Sequence, residues 1–272
     1  MTVLGTPIVA IDRRVAVALL ISDLHVPDGG GDVVAALQRV LDAARQQRAE
    51  VFVLGDLFDS YVCRAQVAYG CWREVAARFA AAAAEGVAIT ILHGNRDFML
   101  GGEFATASRA QVVAGGVRVS LGGTDTLLLH GDELCLNDLP YQRAKRWLRS
   151  APVRWLARNL PVRVALAAAA RARAKSRKVI AGGDQERFQP TTTALATAMA
   201  SGVGRLVFGH IHQHCHGEHG AGDYWVLPAF DAANIGLLVA PTGTSAVQFA
   251  PTGGPQAVAL PGPCSFAQPR AG

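Results

Sequence analysis

Between Leu139 and Gly183 the chain has no acidic residue, although aspartate and glutamate account for 21 of its 272 residues. Other absences bound what the protein can be. No run of about 18 uninterrupted apolar residues occurs, which excludes a membrane-spanning helix. The N-terminus shows no basic head followed by an apolar core and a cleavage site, so no secretory signal is expected. Residues 1–14 read as a short leader with no assigned function. The five cysteines (Cys63, Cys71, Cys135, Cys215, Cys264) are odd in number and contain no CxxC pair. That pattern argues against a disulfide framework and for a reducing compartment. Neither an aromatic stacking platform nor a known reader motif accompanies the basic residues, so no nucleic-acid partner is expected. With half of its residues apolar, the chain is not a disordered one. Its length suits one α/β domain with a full core and an insertion.

What is present is a repeated design. Five short apolar runs each end abruptly in polar residues: Ala18–Ile21 before Asp23 and His25, Val51–Leu54 before Gly55-Asp56, Ile89–Leu92 before His93-Gly94-Asn95, Leu127–Leu129 before His130-Gly131-Asp132, and Leu206–Phe208 before Gly209-His210-Ile211-His212. Such runs predict strands buried on both faces. In open α/β sheets, ligands collect at the carboxyl ends of strands. Asp, His and Asn at five such ends are the donor types that two adjacent divalent ions require. One small carboxylate must bridge the ions, and Asp56 is the natural choice; imidazoles and a neutral amide complete the set without excess negative charge. Mixed nitrogen and oxygen ligation suits Mn, Fe or Zn better than Ca or Mg.

Asp23-x-His25, Gly55-Asp56-x-x-Asp59, Gly94-Asn95-x-Asp97, His130-Gly131-Asp132 and Gly209-His210-x-His212 together resemble the calcineurin-like metallophosphoesterases, over roughly residues 15 to 240. The third block reads Gly94-Asn95-Arg96-Asp97-Phe98 where the superfamily normally has Gly-Asn-His. With Asp138-x-x-Tyr141-Gln142-Arg143, it is similar to the bacterial UDP-2,3-diacylglucosamine diphosphatases of lipid A synthesis. The chain departs from that family at Tyr61-Val62-Cys63-Arg64, and at Leu227-Pro228-Ala229-Phe230-Asp231 where Leu-Gly-Asp-Trp is usual.

The resemblance implies an α/β four-layer sandwich, two packed mixed sheets flanked by helices, with an inserted helical cap. It implies two divalent ions, Mn2+ being the expected metal. Asp23, His25 and His212 would hold one ion, Asn95, His130 and His210 the other, with Asp56 between them. Arg96 would neutralise charge developing on the phosphate oxygens, and Asp97 would fix Arg96 or a ligand histidine. Asn95, Arg96, Asp138, Tyr141, Lys175 and Ser176 would contact the substrate, a lipid-linked UDP-sugar met at the cytoplasmic surface of the inner membrane. No protein partner is expected. The alternative is a soluble phosphodiesterase or phosphatase of the same superfamily acting on a nucleotide or other small ester. A ligand-less scaffold is disfavoured, because no ligand is missing.

The remaining chain is read locally. Helices are expected over 32–47 and 65–85, and a strand over 87–92 completes a βαβαβ order. A short helix is expected over 98–108, and hairpins of a second sheet from Val112-Val113, 117–121 and 126–129. The acid-free stretch holds twelve basic residues interleaved with Trp147, Leu148, Trp155, Leu156 and Leu166, and leaves the remainder of the chain net acidic. Pro152 and Pro161 divide it into short helices. It reads as a cap over about 136–185, whose basic faces suit either solvent or a membrane surface. A helix over 191–201 and strands over 205–208, 224–227, 236–239 and 245–249 close a domain spanning 1–250. His214, Cys215 and His216 read as an exposed alternating strand, and His93 as packing beneath the ligands. Residues 251–272, rich in Gly, Pro and Ala, read as a disordered tail.

Overall fold

The computed structural model describes residues 1–182, 184–259 and 262–270, with the side chains at 175, 177 and 179–181 outside that description. Thr2–Val3 (β1) and Thr6–Val15 (β2) form an antiparallel pair, so the expected leader is part of a sheet. Ala18–Ile21 (β3), Asp32–Gln47 (α1), Glu50–Val53 (β4), Gly70–Ala84 (α2) and Ile89–Leu92 (β5) follow in the anticipated order. Helix α1 buries Val34, Leu37, Val40, Leu41 and Ala44 along one stripe. The helix expected over 65–85 is interrupted: Arg64–Ala68 is a 3-10 turn, and the extended backbone of Tyr69 separates it from α2.

Gly102–Ser108 (α3), Gln111–Val113 (β6), Gly116–Leu121 (β7) and Thr124–Leu128 (β8) come next. Leu139–Leu148 (α4), Ala151–Arg158 (α5) and Val162–Ala181 (α6) occupy the acid-free stretch. The chain closes with Thr192–Met199 (α7), Arg205–Phe208 (β9), Cys215–His219 (β10), Gly222–Val226 (β11), Phe230–Ala233 (α8), Ile235–Ala240 (β12), Gly243–Gln248 (β13) and Gln256–Val258 (β14).

Two mixed sheets result. One runs β14-β13-β12-β3-β4-β5-β6, the other β1-β2-β7-β8-β9-β11-β10. The period of two along each strand decides what lies where. In β3, Leu20 joins Phe52, Leu92, Val117, Val119, Leu128, Val207, Trp225 and Leu237 in the layer between the sheets. Its neighbours Leu19 and Ile21 face the other way, onto Leu37, Leu41, Val75 and Phe79 of α1 and α2. Leu127, Leu206 and Phe208 make the equivalent outer layer against Leu195 and Met199 of α7. Both faces of the central strands are covered, as continuous apolar runs require. Val112-Val113 departs from expectation: β6 lies parallel to β5 and extends the first sheet, while β7 and β8 form the hairpin of the second.

The C-terminal stretch also differs from the expected unstructured tail. β14 pairs with β13, and Ala267 bridges to Thr191. Phe266 packs against Phe208 and Tyr224. Cys215 and Cys264 are joined in a disulfide, contrary to the all-reduced reading of the cysteines, while Cys63, Cys71 and Cys135 are buried free thiols.

Helices α4–α6 are attached to the body chiefly through their bases. Lys145 Nζ lies 2.8 Å from Asp132, Arg173 Nε lies 3.4 Å from Asp59, and Arg158 pairs with Glu103. Arg149 donates to the Gly94 carbonyl at 3.2 Å. Ala157 and Leu166 pack against the core and Ala165 is buried, but the bulkiest apolar side chains of these helices stay outside: Trp147 is 66% and Trp155 70% exposed, and Leu139, Leu156 and Val164 are exposed too. Among the described residues no helix is long and apolar enough to cross a membrane.

Candidate metal centre

The ends of β3, β4, β5, β8 and β9 converge, and the turns that follow them carry unusual backbone. Asp23, His25, Asp56, His210 and His212 all have positive φ, between 44° and 70°. This left-handed region costs a non-glycine residue roughly 1–2 kcal/mol, and such strain concentrates at functional sites where surrounding structure enforces it. The enforcing contacts are visible. Asp23 N donates to the Gly55 carbonyl and His25 N to that of Asp56, so the first two loops are laced together. Gly94 lies against Asp56, and Gly209 against Ser22 and Asp23; a Cβ at either would overlap those atoms.

Asp23 and His25 are each held through one side-chain atom and leave another without a hydrogen-bond partner. Asp23 Oδ2 accepts from Ser22 Oγ at 2.6 Å and from His210 N at 2.8 Å, which leaves Oδ1 buried without a hydrogen-bond partner. Asp23 Oδ1 faces His212 Nε2 at 3.4 Å and His25 Nε2 at 3.7 Å. His25 Nδ1 lies 3.3 Å from Asp231 Oδ2, so the carboxylate orients the ring and its Nε2 is likewise unpartnered. His130 Nδ1 donates to the Leu54 carbonyl at 2.8 Å, aiming Nε2 inward at 3.8 Å from Asp56 Oδ1. The His210 ring centroid is 5.0 Å from that of His130. Asp56 faces both sets, with Oδ2 also 3.4 Å from His25 Nε2. The Asn95 amide oxygen lies 3.2 Å from His130 Nε2 and also against the Asp56 carboxylate, an oxygen–oxygen contact relieved either by turning the amide or by a cation between them.

Asp23, His25 and His212 form one cluster whose donor atoms lie within 4.8 Å of one another, and Asp23, Asp56 and His130 form another. Orphaned donor atoms, a strained backbone that aims them inward and an imidazole–carboxylate donor set fit two divalent ions of the Mn, Fe or Zn type. His93, by contrast, is tied by Nε2 to the Leu100 carbonyl at 2.8 Å. Among the described residues, His214, His216 and His219 join no such cluster, and His216 stacks on Trp225.

The charges are balanced by proximity. Burial raises the Asp56 carboxyl, but the neighbouring His130 and His25 outweigh it and hold it below the usual range. Burial, and then the charge of Asp56, push Asp97 up to about 7. Burial lowers His210, reinforced by His130, to about 4, so this ring is neutral at pH 7. For His25, burial lowers the pKa, yet hydrogen bonds to Asp231 and Asp56 raise it to about 9. For His130, burial is overcome by the charges of Asp56 and Asp23, which raise it to about 8. In the ion-free protein both rings therefore hold protons at neutral pH, and each must lose one before Nε2 can ligate. Apparent affinity for Mn2+ is expected to rise as pH increases from about 7 to 9, with protons released on binding. Titrating Mn2+ in weak buffer at several pH values checks this; constant affinity without proton release contradicts it.

The catalytic and substrate candidates are placed as follows. Arg96 Nη1 bonds Asp59 at 2.6 Å, its Nε lies 3.4 Å from Asp56, and its backbone N–H donates to Asp56 Oδ1. Asp97 accepts from Gly94 N at 2.9 Å and Leu57 N at 2.7 Å; it fixes the ligand loops rather than Arg96. Tyr141 bonds Asp132, beside Lys145. Asp138 caps α4 by accepting from Tyr141 N and pairs with Arg187 at 2.6 Å. Ser176 is exposed on α6, and the side chain of Lys175 lies outside the described residues. Asp59, Asp132 and Asp231 are site residues that motif reading left without a role. For Asp59 and Asp132 the signal was present, as carboxylates within the Gly-Asp-x-x-Asp and His-Gly-Asp blocks.

A model of the calcineurin-like phosphoesterase family matches residues 17–214. Among curated proteins, the UDP-2,3-diacylglucosamine hydrolase of Pseudomonas putida is 32% identical over 196 residues, covering 72% of this chain and 81% of that protein. The protein of the same name from Ralstonia nicotianae is 32% identical over 222 residues, covering 78% and 82%. That from Aeromonas salmonicida is 35% identical over 196 residues, covering 72% and 77%.

Proposed function

The chain belongs to the calcineurin-like phosphoesterase family, and from that premise we propose that it hydrolyses the pyrophosphate of UDP-2,3-diacylglucosamine to UMP and 2,3-diacylglucosamine 1-phosphate. In this reading Asp23, His25 and His212 hold one ion, Asn95, His130 and His210 the other, and Asp56 touches both; manganese is the ion proposed. Such a pair supplies Lewis acidity to the phosphate oxygens and lowers the pKa of a water. The protein's own groups do the rest. Arg96, pinned by Asp59 and Asp56, presents its donors to the phosphoryl group under attack, where negative charge accumulates. Water adds to phosphorus, the P–O–P bond breaks, and the displaced phosphate leaves as an anion. Tyr141, oriented by Asp132, faces the sugar side together with the first turn of α4. Asp138 supports that turn.

The observation that carries the lipid half of this reading is the construction of α4–α6. Their bases anchor on the loops that bear the metal ligands, through Arg149 to Gly94 and Arg173 to Asp59. Leu139, Trp147, Leu148, Trp155, Leu156 and Val164 remain exposed. A basic surface carrying exposed Trp and Leu suits acyl chains and an anionic membrane face, so we place the protein peripherally at the inner surface of the membrane.

The test is UMP or phosphate release from UDP-2,3-diacylglucosamine in micelles, from UDP-N-acetylglucosamine and from bis(p-nitrophenyl) phosphate. Strong preference for the lipid is expected; equal or better turnover of the small esters would move the function to a soluble phosphodiesterase. Replacing Trp147, Leu148 and Trp155 with Ser should leave two ions bound yet lower lipid hydrolysis at least about tenfold, since each large apolar side chain buried against an acyl chain contributes roughly 1.5–3 kcal/mol. Liposome binding should weaken with added salt, whose screening length is about 8 Å at physiological strength.

A further inference from the structure

The metal centre also has an opening to which no described side chain of α4–α6 contributes. A groove of about 710 Å³ runs from His25, His212 and Arg96 outward between the first turn of α1 and the loop from Pro228 into α8. We propose that this groove receives the nucleoside half of the substrate and sets the preference for a nucleotide at the phosphorus under attack. The identity of the base as uracil rests on the reading given above.

Three observations carry it. First, none of the described side chains of α4–α6 lines the groove, and neither does any Leu, Ile, Met, Phe or Trp. An acyl chain would find no enclosure there. The lipid half of a two-ended substrate therefore belongs on the cap side, and its other half has this exit from the metal centre. Second, Pro27, Val33, Pro228 and Ala232 supply apolar wall. Such walls admit a flat ring, and the volume lies within the range of about 300–1,000 Å³ usual for small-molecule sites. Third, the outer end supplies a mixed set of donors and an acceptor. Helix α1 starts at Gly31, and no side chain caps its first N–H groups. The Asp32 carboxylate beside them is exposed and forms no ion pair among the described residues. Uracil presents two carbonyl acceptors flanking one N–H donor, and the ribose presents hydroxyls. Backbone N–H groups together with a free carboxylate complement both.

The arrangement also explains why the groove meets the centre where it does. Arg96 and His212 line its inner end, so a phosphate joined to a nucleoside in the groove would sit beside the Arg96 guanidinium. The nucleoside would then anchor the phosphorus under attack, while the cap holds the lipid phosphate that leaves.

Calorimetric titration of the Mn2+-loaded protein with UMP and with inorganic phosphate tests this directly. UMP is expected to bind at least about tenfold more tightly than phosphate, because only UMP can fill the groove. Ala232→Trp, an exposed position on α8 that would block the groove, should weaken UMP by at least about tenfold while phosphate affinity and the two bound ions persist. Asp32→Ala, at an exposed position, should weaken UMP by about tenfold or more with phosphate unchanged, about what one hydrogen bond to a charged group contributes. UMP binding no tighter than phosphate, or unaffected by both substitutions, overturns the proposal. The lipid reading fails separately: an enzyme that binds UMP through the groove but leaves UDP-2,3-diacylglucosamine intact keeps the groove and loses that substrate. One that cleaves the lipid while Ala232→Trp binds UMP normally keeps the substrate and loses the groove.

Discussion

Asp56→Ala is expected to leave fewer than two ions per chain and a rate near background. Asp56 is the carboxylate that faces both His25 and His130, at 3.4 and 3.8 Å. Removing it leaves two cations with no shared anion to offset their repulsion, and it also frees the Arg96 backbone N–H that Asp56 Oδ1 accepts. The backbone there is left-handed, with φ at 51°, a conformation Asn tolerates better than Ala. Asp56→Asn is therefore the companion variant: it keeps the turn and removes only the charge. Metal content by mass spectrometry and turnover, measured on both, separate the two effects. Two ions retained at near-native rate in the alanine variant would refute the bridging role.

Arg96→Ala should behave differently, losing turnover while keeping both ions. A preorganised donor to developing charge is worth about 3 kcal/mol, or on the order of a hundredfold in rate. The Arg96 guanidinium is held by two carboxylates at its rear, and Asp59 retains Arg173 when Arg96 is gone. The site should therefore not collapse. Arg96→Lys should rescue only in part, because the compact ammonium lacks the planar fork by which the guanidinium reaches Asp59 and phosphate with separate nitrogens. Loss of metal together with activity would instead make Arg96 a structural counter-charge to Asp56.

What could be read in the sequence follows the range of the forces involved. Each candidate block sits directly after its own strand, so local apolar pattern and the adjacent residue sufficed to propose Asp23, Asp56, Asn95, His130 and His210 as ligands. Asp231 was visible only as a departure from a family motif, because its partner His25 lies 206 residues away. β6 was assigned to the wrong sheet because parallel pairing with β5 leaves no local mark on Val112-Val113. The leader was missed for a similar reason: β2 gains its place from its parallel partner β7 across a hundred residues, and its own burial alternates poorly. The cap was legible as a charge anomaly, but not how its charges are used. Arg149, Arg158 and Arg173 look alike in sequence, yet each meets a different acceptor on the body.

The C-terminal stretch changes how that cap can move. Gln268 and Arg270 bond Asn137, just before α4, and Arg270 pairs with Asp184, just after α6. Ala267 meanwhile lies alongside Thr191, and Cys264 is fastened to Cys215. One short segment thus knots together the two places where the cap joins the body. Without it, the cap would still be pinned along its length through Lys145, Arg149, Arg158 and Arg173, but its two junctions would not be tied to each other. With it, the cap has a closed base. A chain cut after β13 would keep every metal ligand and lose this footing.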